Sequence, residues 1–336
     1  MSAPLRIEGV MPKVSVIVPS YNVEDYIGAT IQSVLKNSID VEIIVVDDFS
    51  TDGTFDIACS YAKQYPGITV VKNHGNLGAG VARNVGMKIA TGEYLYFLDA
   101  DDILVDNALD DIVKIIDKTS ADLICFKYNY MTSETGSYKG MLKGDIEIWD
   151  GIIKSAEHMD VTVAKHSNLL LTVNYPWNKL VRSSFARDTG LYFSSTKVNN
   201  DIYAHWHLYM MSSKVTLYNK TLISHRVFEG RQQITNIFDE RRFDAFRALA
   251  DVEDLLRSNP DLSGKYFHQF CRFKLDLLKW INARLGSPLR SEFLSRVRRS
   301  YGNFTPAAFI GCFDHYPKIA TDSAYLRYVP EKVLKG

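Results

Sequence analysis

Apolar and amphipathic stretches alternate along the first hundred residues, and this alternation restricts the chain to few folds. The apolar stretches have the length and composition of buried strands, and they occupy residues 14–18, 42–46, 68–71 and 94–98. The segments between them carry apolar residues at helical spacing. Strands that alternate with helices pair in parallel through right-handed crossovers, so the sequence predicts an α/β fold.

Polar loops follow all four predicted strands. They are rich in Asp, Asn and Gly, and they comprise residues 19–22, 47–50, 73–83 and 99–102. Parallel strands of an open α/β sheet end at one edge, where ligands bind, so these loops are predicted to surround one crevice. Asn22 in the first loop is also a predicted N-cap of the helix that follows.

Three carboxylates, those of Asp99, Asp101 and Asp102, follow the fourth strand within four residues. Like charges this close raise one another's pKa unless a cation joins them. A hard divalent cation, bound by oxygen ligands and by substrate phosphates, would supply that charge, which predicts a metal–diphosphate site. The alternative is structural, because Asp101 and Asp102 could cap a helix that begins near Asp106.

The loops offer groups that suit the parts of a nucleoside diphosphate. Tyr21 offers an aromatic face for a base, and Asp48 can accept the ring N–H of uracil or thymine. Arg83 is a fork suited to phosphate, Asp99 can accept ribose hydroxyls, and Asp101 can bind a bridging metal. Three alternatives stay open: Tyr21 could lie in the core, Asp48 could be a turn residue, and Arg83 could pair with a carboxylate.

Composition excludes several other classes of protein. The 336 residues contain 39 Lys plus Arg and 39 Asp plus Glu, so no overall charge favours nucleic acid or an anionic membrane. No apolar run approaches the length of about 18 residues that a membrane-spanning helix needs, and residues 1–11 lack the apolar core of a signal peptide. The four cysteines form no metal-ligand pattern. We therefore expect reduced thiols and a cytoplasmic location, either free or peripheral at the inner face of the membrane.

Five segments together resemble the donor-binding signature of family 2 glycosyltransferases. They are Pro-Ser-Tyr-Asn at 19–22, Val-Asp-Asp-Phe-Ser-Thr-Asp-Gly-Thr at 46–54, Asn-Leu-Gly at 76–78, Ala-Arg-Asn-Val-Gly at 82–86 and Phe-Leu-Asp-Ala-Asp-Asp at 97–102. The resemblance covers about residues 12–230. It implies a GT-A fold, in which a Rossmann-like nucleotide-binding sheet flanked by helices merges with an acceptor-binding half. It also implies an inverting reaction that consumes a nucleotide sugar.

The resemblance further implies roles for individual residues. The nucleotide contacts would be Pro19, Tyr21, Asn22, Asp48, Asn76, Arg83, Asp99 and Ala100. Asp101 would hold the metal, which would be Mn²⁺ or Mg²⁺, and the donor would be a UDP-sugar.

The second half of the chain is expected to bind the acceptor. Residues 122–128 are typical of a further strand, and the polar, Gly-punctuated residues 129–148 are typical of a hairpin or flap. Residues 174–180 resemble the Trp-x-Lys segment of the family. The predicted acceptor or sugar contacts are Asp102, Trp177, Lys179 and Asn200.

Asp201 is the predicted catalytic base. It opens a helix that is predicted to run through about Met211, at a position where many relatives have Glu-Asp and the Asp is the base. Here Asn200 replaces the Glu, so the pair is kept only in part. The structural alternative for Asp201 is a helix N-cap, and one side chain serves both roles only if it points into the cleft.

Residues 225–233 fall where relatives carry a strand and then a mobile loop over the diphosphate. His225 is a predicted third contributor to the metal site, or else a satisfied core residue. Arg226 or Arg231 would hold phosphate. The Gln-x-x-Arg-Trp motif of processive relatives is absent from the sequence, which favours single transfers over polymerisation.

From about residue 238 the sequence changes to helical segments, and the central one carries an apolar stripe interleaved with basic residues. These segments are 241–257, 266–285 and 289–299. The stripe could lie on a membrane surface beside a lipid-linked acceptor, or it could pack on the catalytic domain or on a second subunit, and we favour packing. The predicted divisions are a GT-A domain (12–235), made of a donor half (12–128) and an acceptor half (129–235), and a helical region (236–336).

The predicted function is metal-assisted transfer of a sugar from a nucleoside diphosphate sugar to a hydroxyl of a saccharide or lipid-linked acceptor, with Asp201 as the base. A sugar nucleotidyltransferase is disfavoured, because Pro-Ser-Tyr-Asn follows the first strand where that class needs a Gly-rich and basic loop. The absence of Gly-x-Gly-x-x-Gly after that strand disfavours an NAD-dependent enzyme. A non-catalytic nucleotide-sugar-binding partner of a glycan assembly complex stays open, and so does a homo-oligomer.

Overall fold

A computed structural model describes residues 12–133, 136–228, 238–302 and 304–334. Its strands are β1 (Val14–Ser20), β2 (Val41–Asp47), β3 (Ile68–Lys72), β4 (Tyr94–Phe97), β5 (Ile103–Leu104), β6 (Leu123–Met131), β7 (Tyr138–Lys139), β8 (His158–Val161), β9 (Lys179–Arg182) and β10 (Val215–Arg226). Its helices are α1 (Glu24–Leu35), α2 (Thr54–Gln64), α3 (Ala79–Ile89), α4 (Ala108–Thr119), α5 (Lys143–Ile153), α6 (Ser183–Thr189), α7 (Ile202–Met211), α8 (Asp244–Ser258), α9 (Pro260–Asn282), α10 (Ser287–Ser300), α11 (Pro306–His315), α12 (Pro317–Tyr325) and α13 (Pro330–Val333).

The strands form one mixed sheet in the order β3-β2-β1-β4-β9-β6-β10-β5, with β7 paired to β6 and β8 paired to β10. The first four strands of the chain pair in parallel, as the strand–helix alternation predicts, and Ile17 of β1 lies beside Ile44 of β2 and Phe97 of β4. β9 runs antiparallel to both β4 and β6 and so joins the first four strands of the chain to the rest of the sheet. The predicted α/β class is confirmed.

Tight packing of α3 on β1 sets the position of the loop that precedes α3. A Cβ atom at Gly86 of α3 would lie 2.4 Å from Cγ2 of Ile17. Every residue of β1 is buried, so the strand has little room to move away from the helix. The absence of a side chain at Gly86 therefore permits the close contact between the helix and the sheet.

One prediction and one alternative about helix starts are not met. The N-cap residue of α1 is Val23 and not Asn22, because the Asn22 side chain bonds elsewhere, with its Oδ1 accepting the Thr51 N–H at 2.9 Å. This hydrogen bond ties the loop after β1 to the loop after β2. Neither Asp101 nor Asp102 caps the next helix either, since α4 begins only after Asn107.

Residues 129–148 are a hairpin only in part. β6 extends to Met131 and pairs with β7 in an antiparallel arrangement, as a hairpin requires. The segment then enters α5, which the sequence analysis does not predict. The signal was present, because Ile146, Trp149 and Ile153 recur at helical spacing, and both Trp149 and Ile153 are buried.

The apolar stripe of α9 is covered by protein and does not lie on the surface. Phe270 and Leu278 are almost fully buried, and the Phe270 ring packs edge-on against Trp206 of α7. Packing on the catalytic domain is the arrangement that we favoured. Helices α11 to α13 belong to the predicted helical region, although the sequence analysis gave no limits for them, and the predicted boundary at residue 235 lies outside the described residues. Among the residues described, no helix has both the length and the apolar character needed to cross a bilayer.

We predict that Gly86→Ala destabilises the protein by about 1–3 kcal/mol, because the added methyl overlaps Ile17 in a fully buried strand. Urea unfolding at 25 °C measures the change. Gly264→Ala is the matched control, since its Cβ meets no atom within 4 Å in the exposed face of α9, and we expect it to be neutral or slightly stabilising. An unchanged unfolding midpoint for Gly86→Ala would contradict the packing described.

Candidate active site

Hydrogen bonds to Asp48 hold the loop after β3 against the end of β2. Its carboxylate accepts hydrogen bonds from Asn73 Nδ2 (2.8 Å), the Leu77 N–H (2.9 Å) and the Gly78 N–H (2.6 Å). Gly78 has a φ of +97°, a conformation that favours glycine. Asp48 is therefore more than a turn residue. Two of the three donors share Oδ1, so Oδ2 keeps room for one further donor.

Two aromatic side chains are exposed where β1 and β2 end. Tyr21 is 44% exposed, so it is not a core residue, and Phe49 is 48% exposed. Phe49 also has a φ of +69°, which is rare for a bulky residue and is typical of functional sites. We did not predict a role for Phe49, although an exposed aromatic in a polar loop was the available signal. The predicted contacts Pro19 and Ala100 are buried, the first in β1 and the second in the loop after β4.

The three predicted carboxylates form one cluster. One oxygen from each of Asp99, Asp101 and Asp102 lies within 4.8 Å of the others. Asp99 and Asp101 are partly exposed, whereas Asp102 is fully buried. Oxygen atoms in this number and spacing fit a hard divalent cation such as Mn²⁺ or Mg²⁺. Asp99 and Asp101 are the members of the cluster that a cation and its substrate can reach.

Asp102 faces inward, so the prediction that it contacts an acceptor is not met. Its carboxylate accepts from His225 Nδ1 at 2.8 and 3.0 Å and from the Arg226 N–H at 3.1 Å. The Arg226 side chain donates in turn to the Asp101 carbonyl at 2.7 Å. Asp102 thus ties the end of β10 to the loop after β4, and it leaves Nε2 as the ring nitrogen of His225 that can meet a ligand.

Burial and charge set the protonation of this buried pair. Burial raises the pKa of Asp102 to about 7, against the opposing effect of His225. Burial alone would lower the pKa of His225, but the Asp102 carboxylate reverses this and raises it to about 9. Without a metal, His225 is therefore a cation at neutral pH. It can ligate a metal only after losing that proton.

Arg83 joins the donor half to the start of α7. Its NH2 donates to Asp99 Oδ1 at 2.6 Å and its NH1 donates to Asn200 Oδ1 at 2.8 Å. The guanidinium also lies 5.2 Å from the centre of the Phe193 ring. The alternative that Arg83 pairs with a carboxylate is thus realised. A neutral amide at position 200 accepts the second bond without adding a second negative charge, so the site stays more positive than a Glu would leave it.

Asp201 occupies the N-cap position of α7, yet its side chain makes no capping hydrogen bond. The residue as a whole is partly exposed. Burial raises its pKa to about 6, against an opposing effect of the nearby Arg83 cation. A base needs a carboxylate that is ionised at neutral pH and more basic than usual, and Asp201 meets both conditions.

A cavity of about 10 Å³ is bounded by Asp201, Lys179, His205 and Asn174, among others. Asn174 Oδ1 and His205 Nδ1 have no hydrogen-bond partner within the described chain. The cavity can hold about one water molecule, which would link these atoms to the base. Lys179 is 1% exposed, and burial lowers its pKa to about 8. Its Nζ donates to the Tyr175 carbonyl and to Asn178 Oδ1. Lys179 therefore holds the backbone of residues 175–178 in place and does not face an acceptor.

An aromatic wall surrounds His225. The Trp177 ring stacks on the imidazole with centroids 5.3 Å apart, and Tyr175 and Tyr130 lie at 5.5 and 5.9 Å. Trp177 is fully buried, so it reaches the crevice only through His225 and does not meet the expected acceptor directly. Tyr130 and Tyr175 were not predicted as neighbours of His225. Tyr130 lies beside it through the pairing of β6 with β10, and Tyr175 precedes the turn that carries Trp177.

The structure brings together most of the predicted residues at one crevice. Those that line it or hold its loops are Tyr21, Asn22, Asp48, Asn76, Arg83, Asp99, Asp101, Asn200, Asp201 and His225. Those that support it from within are Pro19, Ala100, Asp102, Trp177 and Lys179. Arg231 and the predicted loop over the diphosphate lie outside the described residues.

Comparison with known proteins adds a family match and a set of relatives. The profile described as Glycosyl transferase family 2 matches residues 15–188. The chain is 28% identical over 222 residues to glycosyltransferase GlyA of Streptococcus pneumoniae, covering 65% of this chain and 31% of GlyA. It is 26% identical over 255 residues to GlyG of the same organism, covering 72% of this chain and 83% of GlyG.

A third relative is the poly(ribitol-phosphate) beta-N-acetylglucosaminyltransferase TarP of Staphylococcus aureus, which is 40% identical over 125 residues, 35% of this chain and 37% of TarP. The chain thus spans about a third of the length of GlyA and TarP. Among solved structures, S. aureus TarS residues 1–349 in complex with UDP-GlcNAc superposes with a TM-score of 0.78 at 20% identity, covering 96% of this chain and 88% of that chain. This likeness shows the fold.

We predict that Asp102→Asn lowers the pKa of His225, because the amide lacks the charge that raises it. NMR titration of the imidazole nitrogens in metal-free protein measures this. Wild-type His225 should titrate at about 9, and the variant should titrate at lower pH. The signal of His158, which pairs with the opposite end of β10, is the internal control. An unmoved His225 titration would contradict the pairing.

Proposed function

Because the chain belongs to glycosyl transferase family 2, we propose that it is an inverting enzyme that transfers a sugar from a UDP-sugar to a hydroxyl of a saccharide or polyol-phosphate acceptor. One observation carries this proposal. Arg83 bonds both to Asp99, in the carboxylate cluster, and to Asn200, next to Asp201. These two hydrogen bonds support a site in which a metal-binding cluster and a base lie close together, as transfer between a nucleotide sugar and an acceptor requires.

The donor would bind across the loops that end β1 to β4. The uracil would stack on the exposed Tyr21, and its ring N–H would donate to the remaining acceptor position of Asp48 Oδ2. Asp99 keeps its second oxygen for ribose hydroxyls while the first holds Arg83. The complex of TarS with UDP-GlcNAc, in a chain of the same fold, supports a UDP-sugar as the donor class.

Asp101, with Asp99, would hold the divalent cation, and His225 could join them once its proton is lost. A Mn²⁺ or Mg²⁺ ion held there would offset the charge that grows on the departing diphosphate. Arg83 and Arg226 add fixed positive charge from the protein at the same edge. Both guanidiniums bond to groups of the Asp99–Asp102 loop, so this charge is in place before the substrate arrives.

Asp201 would remove the proton from the acceptor hydroxyl as that oxygen attacks the anomeric carbon opposite the leaving group. The C–O bond to UDP breaks, UDP leaves with the bonding electrons, and the configuration at the anomeric carbon inverts. Such general base catalysis contributes typically about 10²–10⁴-fold. Orientation of both substrates in one cleft can supply about 7–11 kcal/mol more.

The acceptor class is proposed from the relatives. TarP is described as acting on poly(ribitol-phosphate), which presents many hydroxyls between phosphates. We extend to this chain only the general class, a polyhydroxyl chain such as a cell-surface polysaccharide, a lipid-linked oligosaccharide or a polyol phosphate.

A donor panel tests the proposal. We expect UDP-sugars with Mn²⁺ or Mg²⁺ to raise the Tm of the protein, EDTA to abolish the effect, and one UDP-sugar to release UDP slowly.

The variant Asp101→Asn should lose the metal-dependent rise in Tm, because the cluster loses an anionic ligand. Asp106→Asn, at an exposed acid that pairs with Lys36, is the control and should behave like wild type. Stabilisation without UDP release would favour a non-catalytic binder, and no response to any nucleotide would refute the proposal.

We predict that Asp201→Asn lowers kcat by about 10²-fold or more, while the affinity for UDP with metal changes less than about threefold. In the wild type, kcat/KM should fall as pH decreases through about 6, because protonation of Asp201 in the free enzyme, at its raised pKa, removes the base. An ordinary carboxyl would place this fall about two units lower. Retention of most of kcat in Asp201→Asn would show that the base lies elsewhere.

A further inference from the structure

Residues 193–200, which we name the base-bearing segment, connect α6 to α7 and lead directly into Asp201. The segment has no helix or strand of its own along this stretch. Asn199 has a φ of +58°, in the left-handed region that non-glycine residues rarely adopt. Within the segment the Ser194 N–H donates to the Asn200 carbonyl at 3.0 Å, and partners outside the segment hold the rest of its backbone.

One set of partners comes from α3 and the loop before it. Asn84 makes two hydrogen bonds with the Phe193 backbone, both at 2.8 Å, and Arg83 binds Asn200. A Cβ atom at Gly80 would lie 2.2 Å from the Ser194 carbonyl oxygen, so the segment lies directly against the start of α3. These contacts fix the face of the segment that meets the donor half.

The second set of partners comes from α8, in the helical region. Asp244 Oδ2 accepts the Lys197 N–H at 2.7 Å and the Val198 N–H at 3.4 Å. Asp251 Oδ2 accepts the Ser194 hydroxyl at 2.7 Å. The two carboxylates lie seven residues apart, so they share one face of the helix and hold the segment at two points.

Charge-assisted hydrogen bonds of this kind are stronger than those between neutral groups. Asp244 serves two consecutive N–H groups that the segment itself leaves without a backbone acceptor in the described chain. Loss of the Asp244 carboxylate would free the backbone immediately before Asn199, Asn200 and Asp201. The Asp201 carboxylate would still be able to accept a proton, but its position would no longer be fixed.

We propose that Asp244 and Asp251 are positioning residues for the transfer reaction, and that α8 is thereby part of the catalytic unit. This inference rests on the proposed function, in which Asp201 is the base. Neither carboxylate touches a substrate in this account, since both act through the base-bearing segment. A displacement of about 1 Å at a reacting group can cost about 10²-fold in rate, so small shifts of Asp201 are sufficient.

The expected signature is a fall in kcat without a fall in donor binding. Asp244→Ala should lower kcat by about 10- to 100-fold, while the affinity for UDP with Mn²⁺ changes less than about threefold. Asp244→Asn should recover most of the lost kcat, because its amide oxygen still accepts the Lys197 N–H. Asp251→Ala should show a smaller fall in kcat, since it removes one hydrogen bond to a side chain.

Asp254→Ala is the matched control. Asp254 lies on the same helix, is exposed, and has no hydrogen bond or ion pair within the described chain, so its variant should match wild type. Each variant is measured for kcat, for UDP–Mn²⁺ affinity by calorimetry and for Tm. The inference is supported if kcat falls in Asp244→Ala while the UDP–Mn²⁺ affinity and the Tm stay near the wild-type values, and if Asp244→Asn regains most of the wild-type kcat.

Three results would overturn the inference. One is a wild-type kcat in Asp244→Ala, and a second is a loss of kcat and UDP affinity in equal proportion with a lowered Tm, which indicates a general structural role. The third is an equal loss in Asp244→Asn and Asp244→Ala. Failure of the proposed function is recognised separately, because in that case wild-type protein itself turns over no UDP-sugar.

Discussion

The crevice is organised by a buried cation. The Arg83 guanidinium is almost fully enclosed, and burying such a charge without partners would cost several kcal/mol. The end of β4, through Asp99, and the start of α7, through Asn200, must therefore both approach it. Because Asp101 lies two residues after Asp99 and Asp201 follows Asn200, the need to satisfy one side chain brings the carboxylate cluster and the proposed base close to the same cation.

The Arg83 cation also affects the ionisation of Asp201. Burial alone would leave Asp201 protonated over more of the pH range, but the positive charge of Arg83 favours its ionised form and keeps the pKa at about 6. Asn200 accepts a hydrogen bond from Arg83 without adding the second negative charge that a Glu would bring. A neutral residue at this position therefore fits the proposed base, whose position depends on support from both α3 and α8.

Local patterns predicted much of this arrangement, and distant partners account for what they missed. The apolar runs and polar loop ends specify parallel strands and a shared edge, which was enough to bring Asp48, Arg83 and Asp99 together. The neighbouring sequence does not determine whether a carboxylate faces outward. Asp102 faces inward because it binds His225, which lies 123 residues away in the chain. The burial of Lys179 and the covering of the α9 stripe likewise depend on packing between distant elements.

The central claim is that one edge of the sheet holds nucleotide, metal and base together. A crystal grown with UDP and Mn²⁺, measured at a wavelength where manganese scatters anomalously, tests it most directly. The account predicts one anomalous peak within coordination distance of the Asp101 carboxylate, uracil density against Tyr21 and Asp48, and the Asp201 carboxylate facing the same space. A manganese peak away from Asp101, or a nucleotide bound outside these loops, would contradict it.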